Sequence, residues 1–253
     1  MIEYIAPYFN ITVGSQEIKK LQSLEHISSC ITPVDLAEIK LTSKVDSLEI
    51  GQEVIIKQGY KSKGLWQLFK GNIIDVATDN RTKLFCKDKM AQLKEITITK
   101  SFIDCTPQDI LRYSLNQAGV NYTLSSKVFR KKHHFIVRNR DIITLTKLIN
   151  QAWGLDFDFY FDDETYFWGS WEESPRYTKD EIVKFEYGKN IIDFTPNKDG
   201  SGILETIAVP FLKHSNIVRI LHPSFEGLAK VDRIRNYYQD KGRCYIEWQE
   251  LKN

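Results

Sequence analysis

Apolar and polar residues alternate along most of the first hundred positions, and Gly or Asp-Asn pairs interrupt the runs, which is the grammar of short strands and turns. Tyr8–Val13 reads as one strand. Val34–Leu41 reads as another, with Val34, Leu36 and either Ile39 or Leu41 turned inward across a slip or bulge. Glu53–Lys57 is a third, preceded by a turn over Ser47–Gln52. Gly71–Thr78 runs into Asp79-Asn80 and returns through Thr82–Cys86 as a hairpin.

Near residue 101 the period changes. Thr106 supplies a capping hydroxyl, Pro107 suits the first helical position and Asp109 the third, so a helix begins there. Ile110, Leu111, Tyr113 or Ser114, Leu115 and Ala118 form its stripe, and Gly119 is its left-handed stop. A second helix has Asp141 as cap, Ile142, Leu145, Leu148, Ile149 and Ala152 as stripe, and Gly154 as stop. Core packing is the plain reading of both stripes. After Gly154, Leu155, Phe157, Phe159 and Phe161 alternate with Asp156, Asp158 and Tyr160. The chain then turns at Asp162-Asp163-Glu164 into Thr165–Gly169, which predicts a half-buried antiparallel hairpin.

From about residue 182 strands return: Ile182–Tyr187, Ile191–Phe194, Ile203–Val209 and Ile217–Leu221. A long hairpin of Ala229–Ile234 and Cys244–Trp248 turns at Asp240–Gly242, and Asn197–Gly202 is a turn-rich loop. Two hairpins echo each other. Gly71 to Cys86 and Gly227 to Cys244 each hold a glycine, an alternating strand with an aspartate, a polar turn and a cysteine-bearing return strand. As a duplication, this makes two small β units flanking an α+β insertion.

The 253 residues suit one to two large domains or several small ones. A net charge of +2 lacks the strong positive field of a dedicated nucleic-acid binder. With 42% apolar and 27% charged residues the composition is that of a globular protein, and 14 Phe, 12 Tyr and 5 Trp suit sheets and large interfaces. No window approaches the ~18 apolar residues of a membrane span. Met1–Pro7 has no basic n-region, and the last hairpin ends within five residues of the terminus, so neither a secretion signal, membrane insertion nor an appended catalytic domain is expected. Cys30, Cys86, Cys105 and Cys244 lie far apart without a C-x-x-C pair, and read as reduced, packed thiols of a cytoplasmic protein.

Candidate chemistry is sparse. Lys127–Arg140 holds six Lys or Arg, two His and no acid: a solvated strand face, or a contact for a phosphate backbone or an acidic partner. His133 and His134 are adjacent, so on a strand they point to opposite faces and do not share a metal. The aspartates at 156, 158, 162 and 163 suggest calcium or a glycosidase pair, but the loop lacks the D-x-D-x-D-G order. Trp168 and Trp171 fit a sugar-stacking platform or a strand end under a loop. His214 and His222 read as structural. Nucleophile-elbow, zinc-protease and phosphate-loop motifs are missing, so no catalytic, cofactor-binding or metal-binding residue is assigned.

The order of segments is familiar. Ser101-Phe-Ile-Asp-Cys-Thr-Pro-Gln-Asp-Ile-Leu-Arg-Tyr-Ser-Leu-Asn-Gln-Ala-Gly-Val, then Phe135-Ile-Val-Arg-Asn-Arg-Asp, the helix to Trp153-Gly-Leu-Asp-Phe-Asp-Phe-Tyr-Phe, Tyr187-Gly-Lys-Asn-Ile-Ile and His222-Pro resemble the late control protein D family. These are the baseplate hub proteins of phage tails, related to the amino-terminal part of type VI secretion spike proteins. The resemblance implies an α+β, mainly β fold: two small β-barrel, tube-type domains at 1–100 and 181–253, with an α+β domain of two helices and a hairpin at 101–180 between them. It implies a non-enzymatic homotrimer forming a pseudo-hexameric ring in a phage tail or contractile injection system. The implied partners are the tail tube protein, the central spike or tip protein and other baseplate proteins, with the tape-measure protein or DNA in the lumen. The implied location is the virion tail baseplate, assembled in the host bacterial cytoplasm. Two rivals remain: a carbohydrate-binding or cell-wall hydrolase module using Trp168 and Trp171 with Asp156, Asp158 or Glu172, and a DNA-binding protein using Lys127–Arg140.

Overall fold

A computed structural model of the chain describes residues 7–60, 64–177, 182–239 and 241–251. The start of the chain and Asp240 of the expected turn lie outside the described residues. Among those described, no helix is long and apolar enough to cross a membrane. Contacts divide the chain into an inserted unit, Lys89–Tyr177, and a flanking unit made of what precedes and follows it.

The flanking unit is one large sheet. Its first part holds β1 (Tyr8–Val13), β2 (Gln16–Ile18), β3 (Leu21–Ser29), β4 (Leu36–Leu41), β5 (Glu53–Tyr60), β6 (Gly64–Thr78) and β7 (Thr82–Asp88). The inserted unit then contributes β8 (Thr97–Cys105), α1 (Pro107–Gln117), β9 (Asn121–Leu124), β10 (Lys132–Asp141), α2 (Ile142–Trp153), β11 (Asp158–Asp162) and β12 (Thr165–Gly169). The flanking unit resumes with β13 (Val183–Glu186), β14 (Ile191–Pro196), β15 (Ser201–Ile207), β16 (Ile217–His222), β17 (Phe225–Tyr238) and β18 (Gly242–Glu250).

The sheet order is β14-β15-β18-β17-β3-β4-β7-β6-β5-β1-β2, with β13 paired to β16 and β16 to β17. Two separate cores form on it. The first is aliphatic, with Ile11, Leu24, Ile39, Val54, Ile56 and Leu84 fully buried. The second is built around aromatic rings, with Phe194 stacked on Trp248 at 5.5 Å and Phe185 buried beside them. They meet on β17, whose one edge pairs β16 through Phe225–Lys230 and then β3 through Arg233–Tyr238. Arg235 donates to Glu25 across that seam at 2.7 Å, and the rings of Phe9 and Tyr238 pack at 4.6 Å.

Several expectations change in detail. β4 begins at Leu36, which stays 41% exposed, while Ala37, Ile39 and Leu41 are buried. The small Ala37 fits the inward position, so no slip within β4 is needed; the register shift lies opposite its end, between Leu21 and Ser23 of β3. The loop at 197–202 is shorter than its turn residues suggest, because Ser201 and Gly202 already pair with β18. The β6–β7 and β17–β18 hairpins do echo each other, each with a bulge, at Ile73/Asp75 and at Val231/Arg233. Their cysteines are not equivalent: Cys86 sits opposite the bulge at Ile73, whereas Cys244 pairs Asn236 near the turn.

Both helices follow their caps. The Asp109 carboxylate accepts from the Thr106 N–H at 2.9 Å, Pro107 opens α1, and Gly119 takes φ +64° after it. Ser114, rather than Tyr113, turns inward, its hydroxyl bonding back to the Ile110 carbonyl at 2.9 Å. The Asp141 carboxylate accepts from the Thr144 N–H at 2.9 Å, and Gly154 at φ +65° ends α2.

Candidate functional site

Residues 132–140 of the basic segment form most of β10, which pairs with β8 as a two-stranded ribbon, while 127–131 precede it outside regular structure. Phe102, Cys105 and Val137 are buried on its inner side, while His133, His134, Ile136, Arg138 and Arg140 are exposed. Its aromatic residues are turned into the unit. Phe135 packs on Trp153 at 5.4 Å, with the Lys132 ammonium 5.1 Å from the same indole, and Phe129 sits among Phe157 and Trp168. The Trp153 indole N–H donates to the Arg130 carbonyl at 2.9 Å. Lys100 lies 3.6 Å from the centre of the Tyr113 ring.

The histidines do not splay as strict alternation requires. Their ring centres are 4.2 Å apart, because Asp104 opposite them takes a left-handed φ of +47° and its carboxylate holds His133 Nδ1 at 2.7 Å. That hydrogen bond, aided by the nearby charges of Lys131 and His134, keeps the Asp104 carboxyl below the ordinary aspartate value. Among the described residues no three His, Cys, Asp or Glu side chains are placed to hold a metal.

The hairpin β11–β12 is not half-buried. Phe159, Tyr160 and Phe161 are all buried, and so are Tyr166, Phe167 and Trp168, because both faces are covered. On one face α2 supplies Thr146, whose hydroxyl lies 3.0 Å from Tyr166 Oη, and Asn150, which accepts from the Trp168 indole N–H at 2.8 Å. Over Tyr160 lies Arg176, only 7% exposed, its guanidinium 4.1 Å from the ring and donating to Asp162 and to the Phe161 carbonyl. Burial, partly offset by Arg176 and Ser174, pushes the Tyr160 phenol up to about 12.

The sugar platform is thereby dismantled: Trp168 has no accessible surface, and Trp171 packs against Tyr177 at 4.8 Å. Asp156 and Glu172 are exposed, and Asp158 is half-buried at the end of β11, opposite Gly169. The organising carboxylate is instead Glu173. It accepts from the Ser125 hydroxyl at 2.7 Å, from the N–H and hydroxyl of Ser126 at 3.0 Å each, and from the N–H and hydroxyl of Ser170 at 3.1 Å each. Partial burial raises its pKa, but these donors outweigh it and hold the carboxyl at about 2. The serine three positions before it, a capping-box spacing, was the available signal.

The remaining candidates are structural. Cys86, Cys105 and Cys244 are buried free thiols, Cys30 is half-buried, and burial pushes Cys86 and Cys244 up to about 12. His214 is buried with Nδ1 3.0 Å from Ser215 Oγ. His222 sits between the rings of Tyr187 and Phe194, at 4.9 and 4.4 Å.

What the molecule offers to partners is edges and aliphatic surface. Among the described residues the large sheet ends at β2, three residues long, at β14, which closes on Pro196, and on its side branch at β13, which pairs with β16 alone. Exposed aliphatic side chains include Ile31, Ile50 and Ile192 on the flanking unit and Ile103, Val128 and Ile136 on the inserted one.

No model of a known protein family matches the chain. No curated protein matches it by sequence. Its fold is similar to that of solved tail proteins. The 43 kDa tail protein of prophage MuSo2 from Shewanella oneidensis aligns with a TM-score of 0.76 at 10% identity, covering 97% of this chain and 98% of that one. A tail protein from Neisseria meningitidis aligns with a TM-score of 0.72 at 10% identity, over 97% and 96%. A component of the Escherichia coli type VI secretion system, described as structurally similar to T4 bacteriophage tail proteins, gives 0.72 at 9% identity over 96% and 77%. The α+β, mainly β architecture with curled sheets is thus similar to the fold of solved phage tail proteins and of a type VI secretion component.

Proposed function

We propose that the chain is a structural hub of a phage tail or tail-like particle, three copies of which form a ring with two tube-type β modules each. Six modules around one axis adapt a sixfold tail tube to a threefold spike or tip. The observation that carries this reading is the pair of separately cored β modules joined along β17, in a fold similar to tail proteins over nearly the whole length of both chains. The ring works by geometry, not by chemistry, and acts as a component of the virion baseplate assembled in the host cytoplasm. Its neighbours are the tail tube, the spike or tip and other baseplate proteins, and the tape-measure protein or DNA passes through the lumen. Edges such as β2 and β14 are closed by neighbouring subunits.

Native mass tests it. Light scattering on the purified chain alone is expected to give three times 29.5 kDa, a larger mass when a partner spike protein is added, and negative-stain images an open ring. A monomer in both samples overturns the ring.

A further inference from the structure

We infer that the open edge of β10, with the groove between it and α2, takes up an extended segment of another protein carrying alternate acidic and aliphatic side chains, added to the ribbon as a further strand. Among the described residues β10 pairs with β8 alone, so the backbone groups on its other edge face no strand. A two-stranded ribbon is the weakest form of sheet, and a third strand is what stabilises it.

The groove, ≈ 320 Å³, lies along that edge. It is lined by four successive residues, Phe135 to Arg138, by Arg140, and by Leu145 and Leu148 of α2. Successive strand residues point to opposite faces, so a groove touching four in a row follows the backbone instead of one face. A strand laid there meets main-chain donors and acceptors, with Leu148 and Ile136, the latter 59% exposed, for its apolar side chains.

Charge selects the occupant. The ribbon and its approach, residues 97–105 and 127–141, hold seven Lys or Arg against two acids, and both acids are engaged, Asp104 with His133 and Asp141 in capping α2. Arg138 and Arg140 flank the groove and answer acidic side chains on the incoming strand. A nucleic acid suits this surface less well. Phosphate contacts need no apolar surface, whereas the groove presents Leu148 and the exposed Ile136 between its arginines, side chains that an aliphatic strand covers. The inference does not rest on the ring reading.

The test uses the full chain and a fluorescent octapeptide of alternating glutamate and valine, read by polarisation. The glutamate peptide is expected to bind at least about ten-fold tighter than its lysine–valine twin. N-methylation of its edge-facing amides is expected to weaken it by about ten-fold or more, because the strand donors are lost. The doubly substituted R138E/R140E chain, altered only at exposed positions, is expected to melt as the wild type does and to prefer the lysine peptide. Equal binding of the two peptides, no binding at about 1 mM, or indifference to N-methylation overturns the inference. So does displacement of the peptide by a short DNA duplex with steep salt dependence, or self-association that Ile136→Asp abolishes, since each assigns the groove to a different occupant.

Discussion

Two sheets of the inserted unit, β11–β12 with β9 and the β8–β10 ribbon, both carry consecutive apolar side chains that point to opposite faces, yet they meet opposite fates. In the first, three consecutive residues on each strand of the hairpin are buried, Phe159 to Phe161 and Tyr166 to Trp168. In the second, Ile103 and Ile136 remain 65% and 59% exposed while Phe102 and Val137 go inside. Alternation decides which residues share a face; it does not decide whether the face is covered. The covering of the hairpin comes from polar residues at a distance: Asn150 of α2 holding Trp168 and the Phe157 carbonyl, and Arg176 laid over Tyr160. The ribbon has such a cover on one side only.

That contrast is broken most forcefully at Trp168. Trp168→Ala removes a wholly buried ring and its bond to Asn150, and is expected to cost about 3–5 kcal/mol in urea denaturation. A loss under about 1 kcal/mol would mean that the hairpin has one open face after all. Glu173→Gln comes next, at about 1–2 kcal/mol near neutral pH, since five donors lose their charged acceptor. The sign with pH follows from its depressed value. The Glu173 contribution is complete above the unfolded value of 4.5 and fades as pH falls towards about 2, so thermal melts of wild type and variant should converge over that window. A constant gap across it would assign the loss to packing.

How much of this was legible follows the same physics. The helix caps at Thr106 and Asp141 and the stops at Gly119 and Gly154 were readable, because each is a local hydrogen-bond or dihedral requirement. The hairpin at Asp79-Asn80 was readable for the same reason. β3 was not. Its buried face holds Leu24, His26 and Ser28, so the inward positions are largely polar and no apolar alternation announces the strand that joins the two cores. The Glu173 network was overlooked beside the exposed Glu172, since its partners Ser125, Ser126 and Ser170 come together only through the fold. The basic segment was visible as composition, but its significance depends on which strand edge stays unpaired, a property of the whole topology.

A smaller change within the covered sheet sharpens the contrast. Tyr166→Phe keeps the ring and removes only the hydroxyl beside Thr146, so about 1 kcal/mol is expected in the same denaturation assay. A neutral result would show that Thr146 is satisfied by its bond to the Ile142 carbonyl alone.

The smallest effect belongs to the ribbon. Ile136 is more than half exposed, and exchanging it for serine removes apolar surface that water already reaches, so stability should stay within about 0.5 kcal/mol of wild type. The same reasoning applies to Ile103→Ser on the paired strand. A loss above about 1 kcal/mol would place Ile136 against protein in solution, and the melting temperature would then rise with protein concentration, as it does when association stabilises the folded state. A concentration-independent loss of that size would instead mean that α2 folds over the edge of β10, which would leave the ribbon as covered as the hairpin and remove the contrast between them.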